Sequence, residues 1–102
     1  MTIQSTGDCY ELAYKFIVAH GEDLAGRYKL VHGNVAKLSQ DHPANHAWVE
    51  EGDIVLEVSK GRNFRIPKNV YYERHGITTI RQYNYEEALI LAVRSGHYGP
   101  WD

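Results

Sequence analysis

Hydrophobic and polar positions change their period several times along the chain. Over residues 9–19, Tyr10, Ala13, Tyr14, Ile17 and Val18 recur at helical spacing, and Leu12, Phe16 and Ala19 widen the apolar face until the helix is nearly all buried. Asp8 stands as its N-cap with Glu11 at the reciprocal capping-box position, and His20 and Gly21 end it. Residues 1–7 read as a polar lead-in. The pattern then alternates: Tyr28, Leu30 and His32 share one face of a strand over residues 28–33, and the aperiodic stretch 36–44, with Pro43, is a loop. Residues 46–50 and 53–58 form two strands joined at Glu51, Gly52 and Asp53, a turn tight enough to make them antiparallel neighbours. Phe64 and Ile66 start a short strand limited by Pro67; residues 68–74 form a helical or extended passage over the sheet, and TTIRQY at 78–83 is a further strand. Asn84 with Glu87 opens a helix over 85–95 that buries Ala88, Leu89, Leu91, Ala92 and Val93, Gly96 closes it, and Trp101 lies on the surface of the core.

This order predicts an α+β fold: one domain, residues 1–102, with an N-terminal helix carrying Cys9 packed on an antiparallel sheet and a C-terminal helix. A chain of 102 residues can bury a core but leaves any site shallow or completed by a partner. With 43% apolar and 24% charged residues the composition is that of an ordinary globular protein, which argues against disorder. Eight tyrosines suit a small core with wet edges or a binding surface. The net charge is -2, and Lys60, Arg62, Arg65 and Lys68 are spread along a loop, so nucleic acid is an unfavoured partner. Neither the opening MTIQSTGDCY nor the longest apolar run, Ala88 to Val93, reads as a leader or a membrane span, so a cytoplasmic protein without membrane contact is expected. A single cysteine excludes an internal disulfide and leaves a reduced thiol.

That thiol is the start of the candidate chemistry. Cys9 stands at the first helical position, where unpaired amides and the helix dipole favour a thiolate. In a strand pair closed around Gly52, His46 lies about opposite Val58 and diagonal to Glu57, so imidazole and carboxylate meet across the ladder given a bulge or twist. Nucleophile, base and orienting acid would then be Cys9, His46 and Glu57. The run HAWVE, with an acid about ten positions later and a cysteine at a helix start well before it, resembles the core of the transglutaminase-like branch of the papain-like cysteine enzyme superfamily. The resemblance covers roughly residues 7–59. It departs from the family pattern at Glu57, where an aspartate is usual, and at Val58, where a proline often follows the acid. It implies a small papain-like core and hydrolysis or acyl transfer at an amide or thioester, through a thioester on Cys9, with no cofactor. The substrate would be a peptide, a protein or a small acyl compound. The backbone amide of Cys9 would receive the oxyanion, with Gln4 as the candidate second donor; His32 and Trp48 are candidates for the cleft wall.

Each of these residues also has a plainer role. A lone cysteine on an apolar helix is more often buried filler than nucleophile, and Glu57 can serve as a surface acid facing Lys60 or Arg62. Cys9, His46, Glu57 and His32 are allowable zinc ligands but lack the close ligand pair that anchors such a site, so no metal is expected. The alternative to an enzyme is a non-enzymatic protein-interaction module on a papain-like scaffold, with a tyrosine-rich surface that includes Tyr71 and Tyr72 and little depth for a substrate.

Overall fold

The changes of period resolve into elements in a computed structural model, which describes residues 5–20, 27–36, 45–58 and 64–101. In chain order these are α1 (Ser5–His20), β1 (Tyr28–Val35), β2 (Asn45–Glu51), β3 (Ile54–Glu57), β4 (Phe64–Pro67), α2 (Lys68–His75), β5 (Ile77–Tyr83) and α3 (Tyr85–Ser95). The strands pair antiparallel in the order β4-β3-β2-β1-β5. The fold is thus a small α+β arrangement in which the Cys9-bearing helix and the C-terminal helix pack on an antiparallel sheet.

The β2–β3 hairpin sets the register of the centre. Its ladder closes at Glu51↔Ile54, leaving Gly52 and Asp53 as the turn, and Gly52 takes φ 59, a left-handed conformation that a Cβ resists. The same ladder pairs Val49 with Leu56, so continuing it by one position sets Trp48 opposite Glu57 and His46 diagonal to Glu57 on one face. The expected position of His46, opposite Val58, is therefore off by one residue. The turn has two residues rather than three, and no bulge is needed to bring His46 and Glu57 to the same side.

Residues 46–50 are all buried, because both faces of the sheet are covered. On one face Leu30, Ala47, Val49, Leu56 and Val58 pack against Cys9, Tyr10, Ala13 and Ile17 of α1 and Ala88 of α3, with Trp101 at the edge. On the other, Val31, Trp48 and Val55 pack against Tyr71 of α2. The core positions 9, 13 and 17 of α1 stand one turn apart, the spacing that aligns side chains along one helix face.

Three expectations about the helices need correction. α1 begins at Ser5, one turn before the expected start, so Asp8 lies inside the helix and Cys9 is its fifth residue. Only the first four amides of a helix lack an intrahelical acceptor, so the amide-rich position ascribed to Cys9 belongs to the turn before it. The apolar face of α1 is also narrower than expected, with Val18 and Ala19 exposed, since only one side of the helix meets the sheet. α3 spans the expected residues, and its capping box forms: the Glu87 amide donates to Asn84 Oδ1 (2.8 Å) and the Asn84 amide to Glu87 Oε1 (2.9 Å). Its buried face is smaller than the sequence suggested. Ala88 is fully buried, Leu89, Leu91 and Ala92 are half-buried, and Val93, expected inside, is 80% exposed. Among the described residues, no helix is long and apolar enough to cross a membrane.

Candidate functional site

The pleat of β2 sends His46, Trp48 and Glu50 toward α2, and this side of the sheet holds two buried carboxylates. Glu57 at the end of β3 lies 3.3–3.4 Å from His46 Nε2 and accepts a 2.7 Å hydrogen bond from the Tyr71 hydroxyl. Glu50 accepts from Trp48 Nε1 at 2.9 Å, from the Tyr72 hydroxyl, and at longer range from Lys68 Nζ (3.3 Å) and Gln82 Nε2 (3.4 Å). These donors answer the desolvation that a buried carboxylate would otherwise suffer. Both phenols titrate high: burial first, then the adjacent carboxylate, pushes Tyr71 and Tyr72 above the ordinary tyrosine range. They therefore act as hydrogen-bond donors at any physiological pH. Glu57 thus meets His46 and is no surface acid, while Trp48 is core on this face, its ring 5.3 Å from that of Tyr71.

Cys9 has a different setting. It is 3% exposed within the cluster beneath α1, and its thiol is raised to about 11, by burial first and by the charge of Glu57 second, against hydrogen bonds from the Ala47, Tyr10 and Cys9 backbone that lower it. The expected depression of the pKa and the expected exposure are both reversed, because a thiolate there would lose its hydration. Among the described residues no group of three or more His, Cys, Asp and Glu side chains converges to hold a metal ion, so Cys9, His46 and Glu57 do not make up such a cluster. These findings overturn the reading of the chain as a cysteine hydrolase or acyltransferase. What the strand pair builds is a buried, hydrogen-bonded carboxylate layer. Gln4, the candidate oxyanion donor, lies outside the described residues.

His32 lies on the opposite face of the sheet from His46. Its ring is surrounded by Tyr10 (4.7 Å between centroids), Tyr83 (5.0 Å) and Trp101 (5.0 Å), and a Cβ on Gly99 would come within 2.6 Å of its Cε1. The C-terminal segment thus closes over His32, and one edge of the ring lines an open cleft at the end of β1.

Sequence reasoning missed the partners that α2 and β5 supply: Tyr71 for Glu57, and Lys68, Tyr72 and Gln82 for Glu50. The adjacent tyrosines 71 and 72 were visible as a pair, but only the crossing of α2 over β2 and β3 reveals that each serves a different carboxylate. Comparison of the chain with models of protein families, with curated proteins and with solved structures finds no match.

Proposed function

We propose that the chain is a non-enzymatic protein-interaction module on a papain-like scaffold, docking through the solvent-facing side of α3. The transglutaminase-like resemblance enters this reading as scaffold alone. The carrying observation is that Val93 and Ile90 stand 80% and 50% exposed beside Leu89 on a helix whose caps and buried face are otherwise well formed. What supports a covered face is that Leu89, Ile90 and Val93 adjoin one another there, since a contiguous exposed apolar patch, unlike a single exposed side chain, marks an interaction surface. A cytoplasmic setting is part of the proposal, supported by the lone cysteine.

The partner this face fits is a second copy. Glu86, Ile90 and Arg94 follow one another at four-residue spacing, with Val93 beside them, so two α3 helices packed antiparallel about a two-fold near Ile90 bring Glu86 of each copy to Arg94 of the other. One three-turn helix covers much less than the roughly 800 Å² per partner of a stable interface, so the association is weak and concentration-dependent. Sedimentation velocity over a concentration series tests it. Val93→Glu should leave a monomer at every concentration. Glu86→Arg and Arg94→Glu should each weaken the dimer, and the double exchange should restore it. A wild-type chain that sediments as a monomer throughout would remove this reading.

A further inference from the structure

Residues 95–101, at the end of α3 and beyond it, are folded on themselves around His97. The His97 carbonyl accepts from Trp101 Nε1 (3.0 Å) and from the Ser95 hydroxyl (3.2 Å), and the His97 amide donates back to Ser95 Oγ (3.2 Å). The ring makes a further bond: the Gly99 amide donates to His97 Nδ1 at 3.0 Å. A backbone amide can only donate, so Nδ1 presents a lone pair here and the hydrogen of the neutral ring is on Nε2.

This hydrogen-bonded cluster sets two residues against the sheet. Gly99, at φ 122, lies so close to His32 that a Cβ would stand 2.6 Å from its Cε1 and 3.1 Å from Tyr10 Cδ1. The Trp101 ring lies 5.0 Å from that of His32 and 5.1 Å from that of Tyr83, and Tyr98 meets Tyr14 of α1 at 5.2 Å. The segment is therefore a strap, with Pro100 at the wall of a cleft of about 310 Å³ that Tyr10 and His32 also line.

We propose that the strap is an acid-released cover: His97 holds it down when neutral and frees it when protonated, which uncovers the aromatic floor of His32, Tyr10 and Tyr83. His97 is exposed, so its ring exchanges protons with solvent directly. Imidazolium carries hydrogen on both nitrogens. Nδ1–H then points at the Gly99 N–H, donor against donor, and the bond that places Gly99 over His32 is lost. The docked strap thus holds one proton fewer than the lifted one, so docking is favoured at higher pH and weakens as pH falls through the histidine range, about 5 to 8. From other elements the strap meets Tyr10 and Tyr14 of α1, His32 of β1 and Tyr83 of β5, and Arg94 stands in the last turn of α3. Arginine and tyrosine keep their charge state over this range, which leaves His32 as the other group among these able to respond. The cover is separate from the α3 face, and neither proposal depends on the other.

The test uses the whole chain and its two indole N–H resonances in NMR. Trp101 Nε1 is bonded within the strap and Trp48 Nε1 to Glu50 in the core, so the ratio of their hydrogen-exchange rates reports the strap against an internal standard. Between about pH 8 and pH 5 the ratio of Trp101 to Trp48 should increase roughly tenfold, the weight of one hydrogen bond replaced by opposed donors. Asparagine offers a carbonyl oxygen near the place of Nδ1 and does not titrate, so His97→Asn should keep the strap docked throughout and abolish the increase. His97→Leu, which offers no acceptor, should show the high ratio at every pH, and so should Gly99→Ala, whose Cβ cannot be seated over His32. An unchanged Trp48 resonance verifies the core in each variant. A wild-type ratio that stays constant with pH overturns the proposal. So does an increase that persists in His97→Asn, which would move the sensor to His32.

Discussion

The two faces of the sheet are buried by opposite means. Beneath α1 and α3 the cover is almost wholly apolar: Ala13, Ile17, Leu30, Val49 and Ala88 are each fully buried, and the thiol of Cys9 is packed among them in its neutral form. Under α2 the same strands bury two carboxylates, and Trp48, Tyr71, Tyr72 and Lys68 are placed as much to donate to them as to fill space. One face is held by transfer of apolar area from water, which tolerates imprecision. The other depends on every donor being in place, since an unpaired buried carboxylate costs more than the hydrogen bond it lost. An interior of this second kind is sensitive to single atoms, and nothing about it requires catalysis.

The comparison is broken most severely at Trp48. Trp48→Ala removes the largest fully buried side chain and the indole donor to Glu50 together, and should cost about 3–5 kcal/mol, enough to threaten folding of a small chain. Ile17→Val, a deletion on the apolar face, should cost about 1 kcal/mol. Urea denaturation of the two variants measures both.

A smaller and more specific effect is expected at Tyr71. Tyr71→Phe keeps the ring and removes only the hydroxyl that donates to Glu57 at 2.7 Å, so about 1–3 kcal/mol should be lost. With the carboxylate also removed, in the Glu57→Gln background, the same change should cost clearly less, because the hydroxyl then leaves no charge unpaired. Equal costs in the two backgrounds would mean that the α2 face is apolar packing like the other.

The elements were legible because their signals are local. Asn84, Glu87 and Gly96 fix both ends of α3, and Gly52 fixes the hairpin. The meeting of His46 and Glu57 was legible as well, once alternation and the tight turn were combined, although the register differs by one residue. What failed was the setting of Cys9. A helix start is the least certain boundary in a sequence, and the extra turn from Ser5 changes the electrostatics at residue 9, while enclosure by Ala47 and its neighbours is a tertiary fact. Val93 misled for the opposite reason: the apolar pattern of α3 says that a face is to be covered, and it was assigned to the sheet when this chain leaves it open.

Cys9 sharpens the comparison with the least effect at neutral pH. Its pKa in the folded chain, about 11, lies above the ordinary thiol value near 9. Below pH 9 both the folded and unfolded chains hold the proton, so the thiol contributes no pH dependence. Between about 9 and 11 the unfolded chain gives up its proton while the folded chain keeps it, which favours unfolding, and above 11 the effect levels off. Stability measured by urea denaturation should therefore fall across that window, and Cys9→Ala should flatten the fall. Tyr71, also raised, ionises in the unfolded chain over part of the same range, so the pair of curves is best taken in the Tyr71→Phe background. Alkylation by iodoacetamide gives an independent reading. A pKa near 11 rather than 9 leaves about 100-fold less thiolate at pH 7 than a free cysteine has, and enclosure slows attack further, so labelling of the native chain should be slow and its midpoint should lie near 11. A midpoint at or below that of a free thiol would place Cys9 in a polar setting and erase the difference between the two faces at the residue where it is most easily read.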